Sequence, residues 1–398
     1  MAGIRTMTMR LRNFFKQGPP LAYGWYFIPV FVIALTGFGD SIYLAVSHYR
    51  NYVDMGYQSF CAISRSLNCD TVSQSPYSIF LNVPVPVWGV FGYGFFLFLL
   101  GVAWHPTAGK KRVWTLLFVI SLAFSVYSVV LALISSYLIR SYCIMCILSY
   151  AVNLALLFYA WMIRKRFGCE PFASALMLDM RHLLNFKKTT IPVAAVFGVV
   201  GLAMILAFPA YWHLSPPPLS AQTRTGVTAE GHPWIGAEHP KLEIVEFTDY
   251  MCFQCKKMHF FLRRLVDAHP DTLRLVHRHF PMDHEYNPFV KEPFHVGAGK
   301  LSLIALYAQT QEKFWEANDL LFTLGKADIK LKDVLNPLGL EVAGLADALE
   351  NGGLERVLRR DIRDGLRIGI TATPCYVIGD YAYVGTIPAN IINAAIRR

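Results

Sequence analysis

Five stretches of this chain are apolar for roughly 20 residues each, and that limits its fold more than any other feature. They run Trp25–Val46, Val85–Trp104, Val113–Leu138, Cys143–Ile163 and Ile191–His213. A helix of roughly 20 residues crosses ~30 Å of hydrocarbon. No water is available there to pair with open backbone, so spanning segments of this kind are helical. Four of these spans fall within residues 21–165, and a fifth lies at 191–213. The first run is long for the apolar core of a cleaved leader and more spans follow it, so no cleavage is expected.

The charges between the spans alternate. Arg5, Arg10, Arg12 and Lys16 precede the first span, and Lys110, Lys111 and Arg112 join the second to the third. Arg164, Lys165, Arg166, Arg181, Lys187 and Lys188 join the fourth to the fifth, whereas the opposite side carries only Arg50, Arg65 and Arg140. Cationic loops stay in the cytoplasm, so residues 1–20 and the connector 166–190 are predicted to be cytoplasmic. Glu170–Lys188 has the pattern of an amphipathic helix on the bilayer surface. Everything beyond the fifth span then lies outside, in the periplasm or its equivalent. The +10 formal charge therefore reports topology. It does not call for a nucleic-acid partner, because the half beyond His213 is nearly neutral.

Residues 214–232, with Ser215-Pro216-Pro217-Pro218, read as an extended tether. Beyond it, strand Lys241–Thr248, helix Cys252–Ala268 and strand Thr272–His279 start a βαβ unit. The predicted fold is thus multi-domain: an α-helical bundle followed at 233–398 by an α/β domain.

Three cysteine pairs carry the chemistry. Cys252-Phe253-Gln254-Cys255 opens a helix beside a βαβ pattern, the setting of a thioredoxin-like redox motif. The helix N-terminus favours a thiolate at Cys252, the nucleophile, leaving Cys255 one turn in as the resolving thiol. Cys143-Ile144-Met145-Cys146 opens the fourth span in the same way. Two cysteines cannot complete a tetrahedral zinc site, so redox chemistry is expected and a metal is not. Cys61 and Cys69 bracket a polar loop, and alone they fit a static disulfide or a shuttling one equally. A second pair on the same face favours shuttling, since thiol exchange between two fixed sites needs a carrier. Thr373-Pro374 before the strand Cys375–Ile378 is expected to hold a cis peptide beside the CxxC. Cys375 reads as a small core residue and Cys169 as an inert cytoplasmic thiol.

The order and spacing of Cys61, Cys69, Asp70-Thr71-Val72-Ser73-Gln74-Ser75, Asn82-Val83-Pro84, Cys143, Cys146 and Tyr150 resemble the vitamin K epoxide reductase family over roughly residues 20–165. That resemblance implies a four-helix bundle around a quinone, of ubiquinone or menaquinone type. It implies that Cys69 exchanges with Cys143, that Cys146 faces the quinone, and that Ser75 and Tyr150 lie beside it. Val85 departs from the animal enzymes, which place an asparagine there. Asp40, an intramembrane carboxylate, either relays protons to the quinone, caps a helix or meets interfacial water.

The phrase Ile244–Cys252 and Arg278-His279-Phe280-Pro281 resemble the DsbA-like branch of the thioredoxin superfamily over roughly 232–398, with Asn287–Ile368 as its helical insertion. Glu246 then matches the family's buried acid, either a proton acceptor for Cys255 or a satisfied hydrogen-bond partner. Phe253-Gln254 replaces the Pro-His of strong oxidants, which implies a less oxidising poise. The expected function is a quinone-linked relay that forms disulfides. Electrons pass from secreted or periplasmic protein thiols to Cys252/Cys255, then Cys61/Cys69, then Cys143/Cys146, then the membrane quinone pool. The rivals are an extracytoplasmic disulfide reductase or isomerase, and a metal-binding thiol protein.

Overall fold

The computed structural model describes residues 22–64, 66–104, 112–167, 170–219, 223–325 and 329–397. The expected cytoplasmic segment 1–20, together with Arg65, Lys110, Lys111 and Cys169, lies outside these residues. The chain divides into two compact units, with the main boundary after Ala210.

The first unit is helical. Its long helices are α1 (Gly24–Val53), α3 (Val85–Trp104), α4 (Trp114–Ile134), α5 (Ile144–Phe167) and α7 (Lys187–Ala207), and all five are long and apolar enough to cross a membrane. Between α1 and α3 sit the short α2 (Cys69–Ser73) and a two-stranded hairpin, β1 (Ile79–Phe80) with β2 (Val83–Pro84). Small residues bring α1 and α3 close, as membrane helix packing favours. A Cβ at Gly37 would lie 2.5 Å from the Tyr93 ring, and one at Gly89 2.5 Å from Ser41 Oγ. Val30, Phe96, Leu100, Leu117 and Leu156 fill the interior, while Val126, Leu154, Val199 and Leu206 face outward uncovered. An apolar exterior of that kind suits lipid and not water.

Two boundaries differ from the sequence expectation. The fifth span begins at Lys187, because Lys-Lys-Thr-Thr continues the helix without a break. The first continues past Val46 to Val53, whereas the third ends as expected, its last turn, Ser135–Ile139, being π-helical. The connector helix α6 (Phe172–Asn185) turns inward at one residue. Buried Asp179 accepts from the backbone N–H of Val113 at 2.9 Å, Thr115 at 2.8 Å and Leu116 at 3.2 Å. It thereby caps α4, whose first N–H groups have no partner within the helix.

The second unit is a six-stranded sheet in the order β3-β4-β6-β5-β7-β8, flanked by helices. Its strands are β3 (Thr225–Val227), β4 (Pro233–Gly236), β5 (Leu242–Thr248), β6 (Leu273–His279), β7 (Cys375–Ile378) and β8 (Tyr381–Val384). β5 and β6 run parallel, joined by α8 (Phe253–Ala268), and the other neighbours are antiparallel. β3 falls inside the stretch read as tether. Its three residues pair only with β4, too short a signal to read from sequence. The insertion is built from α9 (Ala298–Thr310), α10 (Phe314–Leu324), α11 (Leu331–Leu335), α12 (Val342–Glu350) and α13 (Gly353–Arg367), and the fold closes with α14 (Ala389–Ile396).

Candidate functional sites in the two units

In the helical unit the polar loop is tied to the start of α5 by backbone. Leu67 bridges Tyr142, Asn68 N–H donates to the Tyr142 carbonyl at 2.9 Å, and Tyr142 N–H donates to Ser66 at 2.8 Å. The Asn68 side chain caps α2 by accepting from the N–H of Asp70 and Thr71. Buried Asp70 accepts from Asn51 Nδ2 and Ser59 N–H, both at 3.0 Å, which fixes the loop to the end of α1. Cys69, first residue of α2, is thereby held beside Cys143. Cys61 and Cys69 are joined in a disulfide. Cys61, Cys69 and Cys143 are buried in one cluster against which Cys146 and Met145 pack. The Cys146 N–H donates to Cys143 Sγ at 3.2 Å.

A cavity of about 220 Å³ adjoins this cluster, and Cys69, Cys143 and Cys146 form part of its wall. Ser75 and Tyr150 lie on the same wall, with Val85, Trp88, Phe124 and Leu131 among its apolar lining. Asp40 is not on the wall. It is buried behind it, bonded by the hydroxyl of Ser149, which does face the cavity. Sequence reading missed Tyr93, Asn153 and Ser128. Tyr93 Oη donates to Asn153 Oδ1 at 2.6 Å, and Asn153 Nδ2 donates to Ser128 Oγ at 2.8 Å. All three line the cavity. An asparagine inside an apolar span was the available signal.

In the second unit, Cys252 caps α8. The Cys255 N–H donates to its sulfur at 3.3 Å, and the Thr373 carbonyl lies 3.5 Å from it. Hydrogen bonding from Cys255 draws the Cys252 thiol below its ordinary range against the opposing effect of burial, and the charge of His295 adds to the lowering. Cys255 is fully buried. Burial, and then the Cys252 sulfur, push its thiol well up. The pair thus has one thiol ready to attack and one held protonated, as sequential exchange needs. The Thr373–Pro374 peptide is cis. Cys375 is buried in the core, which raises its thiol above the ordinary range. Glu246 is fully buried on β5, and its Oε1 accepts from His259 Nδ1 at 2.8 Å and His277 Nδ1 at 3.0 Å.

Residues 28–161 match the vitamin K epoxide reductase family, and residues 243–397 match the DSBA-like thioredoxin domain. The chain joins a vitamin K epoxide reductase family domain to a DsbA-like thioredoxin domain. It is a thiol–disulfide oxidoreductase. No curated protein matches it. Among solved structures, a thioredoxin-like oxidoreductase from Silicibacter pomeroyi DSS-3 is similar at 22% identity, covering 42% of this chain and 91% of that one, with a TM-score of 0.34. The thiol-disulfide exchange protein alpha-DsbA2 from Wolbachia pipientis is similar at 18% identity, covering 42% and 86%, with a TM-score of 0.34. Pseudomonas aeruginosa DsbA2 is similar at 25% identity, covering 41% and 91%, with a TM-score of 0.33.

The DsbA-like domain has a histidine near its nucleophile after all, though not between the cysteines. His295, in the insertion, is held by Asp249 Oδ2 at 2.9 Å. Asp249 also accepts from the N–H of Met251 and Met282 at 2.7 Å, so it anchors the ring to the loop that carries Cys252. A protonated ring there stabilises the Cys252 thiolate through space. Replacing His295 with Ala is expected to raise the Cys252 pKa and slow its attack below neutral pH. Titration of the thiolate absorbance checks this, and an unchanged titration midpoint contradicts it.

Proposed function

We propose that the chain forms disulfide bonds in extracytoplasmic proteins and passes the electrons to a membrane quinone. The supporting observation is the buried sulfur cluster of the vitamin K epoxide reductase domain: the Cys61–Cys69 disulfide and Cys143 pack together, and Cys69, Cys143 and Cys146 line one apolar cavity. That arrangement suits a two-electron exchange from a loop pair to a membrane pair. The cavity fits a quinone head group: its wall is mostly apolar with a few polar groups, as small-molecule sites are. Ser75, Tyr150 and Cys146 would hold the ring, and a bound quinone supplies the capacity to take up two electrons and two protons.

In the steps carried by this chain, a substrate thiolate attacks Cys252, the Cys252–Cys255 bond breaks, and the second substrate thiol completes its disulfide. The reduced Cys252/Cys255 pair then reduces Cys61–Cys69; Cys69 in turn attacks a Cys143–Cys146 disulfide and Cys61 resolves the mixed disulfide, so the loop bond re-forms as the membrane pair is reduced. Each step exchanges one sulfur–sulfur bond for another. A tether to the DsbA-like domain raises its effective concentration near the membrane pair. The charge pattern supports placing this domain and the loop cysteines on the outer face. A membrane-impermeant thiol reagent on intact cells should therefore label Cys252.

The decisive test adds a reduced dithiol protein and a soluble quinone to the full chain in nanodiscs. Quinol should appear in step with substrate disulfides. Cys146→Ala should abolish quinol formation while substrate still reduces Cys252–Cys255. Absence of quinol with the unaltered protein, or its persistence in Cys146→Ala, refutes the quinone link. Run with an oxidised, scrambled substrate, the same assay exposes the isomerase rival.

A further inference from the structure

Asp40 sits in the middle of α1 (Gly24–Val53), one of the long apolar helices. Away from the helix ends each backbone N–H is taken up within the helix, so the side chain caps nothing. Only 5% of its surface is exposed, which leaves little for interfacial water to meet. Among the described residues, Oδ2 accepts from the Ser149 hydroxyl and Oδ1 has no hydrogen-bond partner. A carboxyl group among apolar helices is expensive, and one left half satisfied calls for a reason.

Its one hydrogen bond leads to the membrane sulfur pair. Cys146, Ser149, Tyr150 and Asn153 are spaced three, four and seven apart on α5, so they form a stripe along one face. All four line the cavity. The Ser149 hydroxyl therefore stands between Asp40, behind the wall, and the space onto which Cys146 opens. The charge of Asp40 is felt at Tyr93, Cys143 and Cys146, which places the carboxyl among them. The Tyr93 hydroxyl is already committed to Asn153. The route from Asp40 to the cavity thus runs through Ser149.

We propose that Asp40 and Ser149 shuttle the proton of Cys146 when the membrane pair is oxidised. The inference rests on the quinone reading above and supplies the base that reading lacks. Oxidation of the Cys143/Cys146 dithiol breaks two S–H bonds, forms one S–S bond and gives up two electrons and two protons, which a quinone takes up. As Cys146 loses its proton to the Ser149 oxygen, the Ser149 proton passes to Asp40. The negative charge moves from carboxylate to sulfur, so no additional charge is created in apolar surroundings, where it would be costly. The reverse transfer, from Asp40 through Ser149, delivers the proton to an oxygen seated in the cavity. Cys143, also on the wall, yields the second proton. Asp40 is a relay residue, because it acts through Ser149 and does not itself reach the cavity.

A serine–aspartate bond between two membrane helices can also serve as glue, and conservative substitutions separate the two roles. Asp40→Asn keeps an acceptor for the Ser149 hydroxyl but has no group that takes a proton. Ser149→Thr keeps the hydroxyl that Ser149→Ala removes.

The test treats the full chain in nanodiscs, reduced and free of quinone, with N-ethylmaleimide and follows alkylation of Cys146 by mass spectrometry. Asp40→Asn and Ser149→Ala are each expected to slow alkylation on the order of 10²-fold at neutral pH, and Ser149→Thr to restore it. In Asp40→Asn the rate should become proportional to hydroxide concentration, because solvent must then remove the proton. With decylubiquinone added, single-turnover quinol formation should fall by a similar factor in the same two variants. Asp40→Asn is isosteric, so it guards against a folding artefact. Unaltered alkylation in Asp40→Asn, whether or not Ser149→Ala is impaired, reduces the contact to glue and overturns the shuttle. Absence of quinol from the unaltered protein overturns the quinone reading, and the alkylation rates then decide the shuttle by themselves.

Discussion

Cys255→Ala is expected to trap substrates and stop turnover, with a loss on the order of 10⁴-fold in catalysed disulfide formation. The reason lies in the division of labour between the two sulfurs. Cys252 is partly exposed at the helix cap, and the Cys255 N–H supports its thiolate. That N–H survives the substitution, so Cys252 keeps its nucleophilicity. What disappears is the buried thiol that closes the internal disulfide and releases the partner. Mixed disulfides through Cys252 should therefore accumulate and be visible on non-reducing gels. Cys252→Ala should be equally inactive but free of adducts. Continued turnover by Cys255→Ala, or adducts in Cys252→Ala, would reverse the assigned order of attack.

Much of the fold and of the sulfur chemistry is legible in the amino-acid sequence, and the reasons are physical. Hydrocarbon thickness demands long apolar runs, so the five spans stand out. Both CxxC pairs are local motifs at helix starts, where position alone specifies chemistry. Thr373-Pro374 is legible because it directly precedes a strand in a chain that carries a CxxC. The parts that escape are those made by distant contacts. Leu67 and Tyr142 meet across the loop and the α5 start through a single bridge, which has no sequence signature. His277 meets Glu246 only through the parallel register of β5 and β6, 31 residues apart in the chain. The alternation His277-Arg278-His279 on a strand is a usable hint that two imidazoles share a face. His295 reaches Asp249 from a loop with no regular periodicity.

The Glu246 group also changes how the buried acid is understood. By its position in the sequence alone, Glu246 is an acceptor for the Cys255 proton or a satisfied hydrogen-bond partner. Burial by itself raises a carboxyl, but the His259 charge and the hydrogen bonds from His259 and His277 prevail and hold it down at about 2. A carboxylate so strongly ionised is a poor resting place for a proton, so it works as a counter-ion.

The same balance makes Glu246 a large term in stability. Glu246→Ala leaves the His259 cation buried without one of its two carboxylates, and breaking a buried ion pair typically costs ~3–5 kcal/mol. The pH dependence follows from the direction of the shift. A carboxyl depressed by folding stabilises the folded state above its unfolded pKa, and that contribution disappears as the pH falls through the folded value. With Glu246 at about 2 against an ordinary 4.5, roughly 3 kcal/mol should be lost between about pH 4.5 and pH 2. Glu246→Gln keeps an acceptor for His277 but carries no titrating group, so its stability curve should lack that acid limb and approach the wild-type curve at low pH. Pulse proteolysis in urea, following release of the DsbA-like domain from the full chain, measures both effects. Parallel wild-type and Glu246→Gln curves down to pH 2 would show that Glu246 is not ionised in the fold, and the counter-ion role would be lost with it.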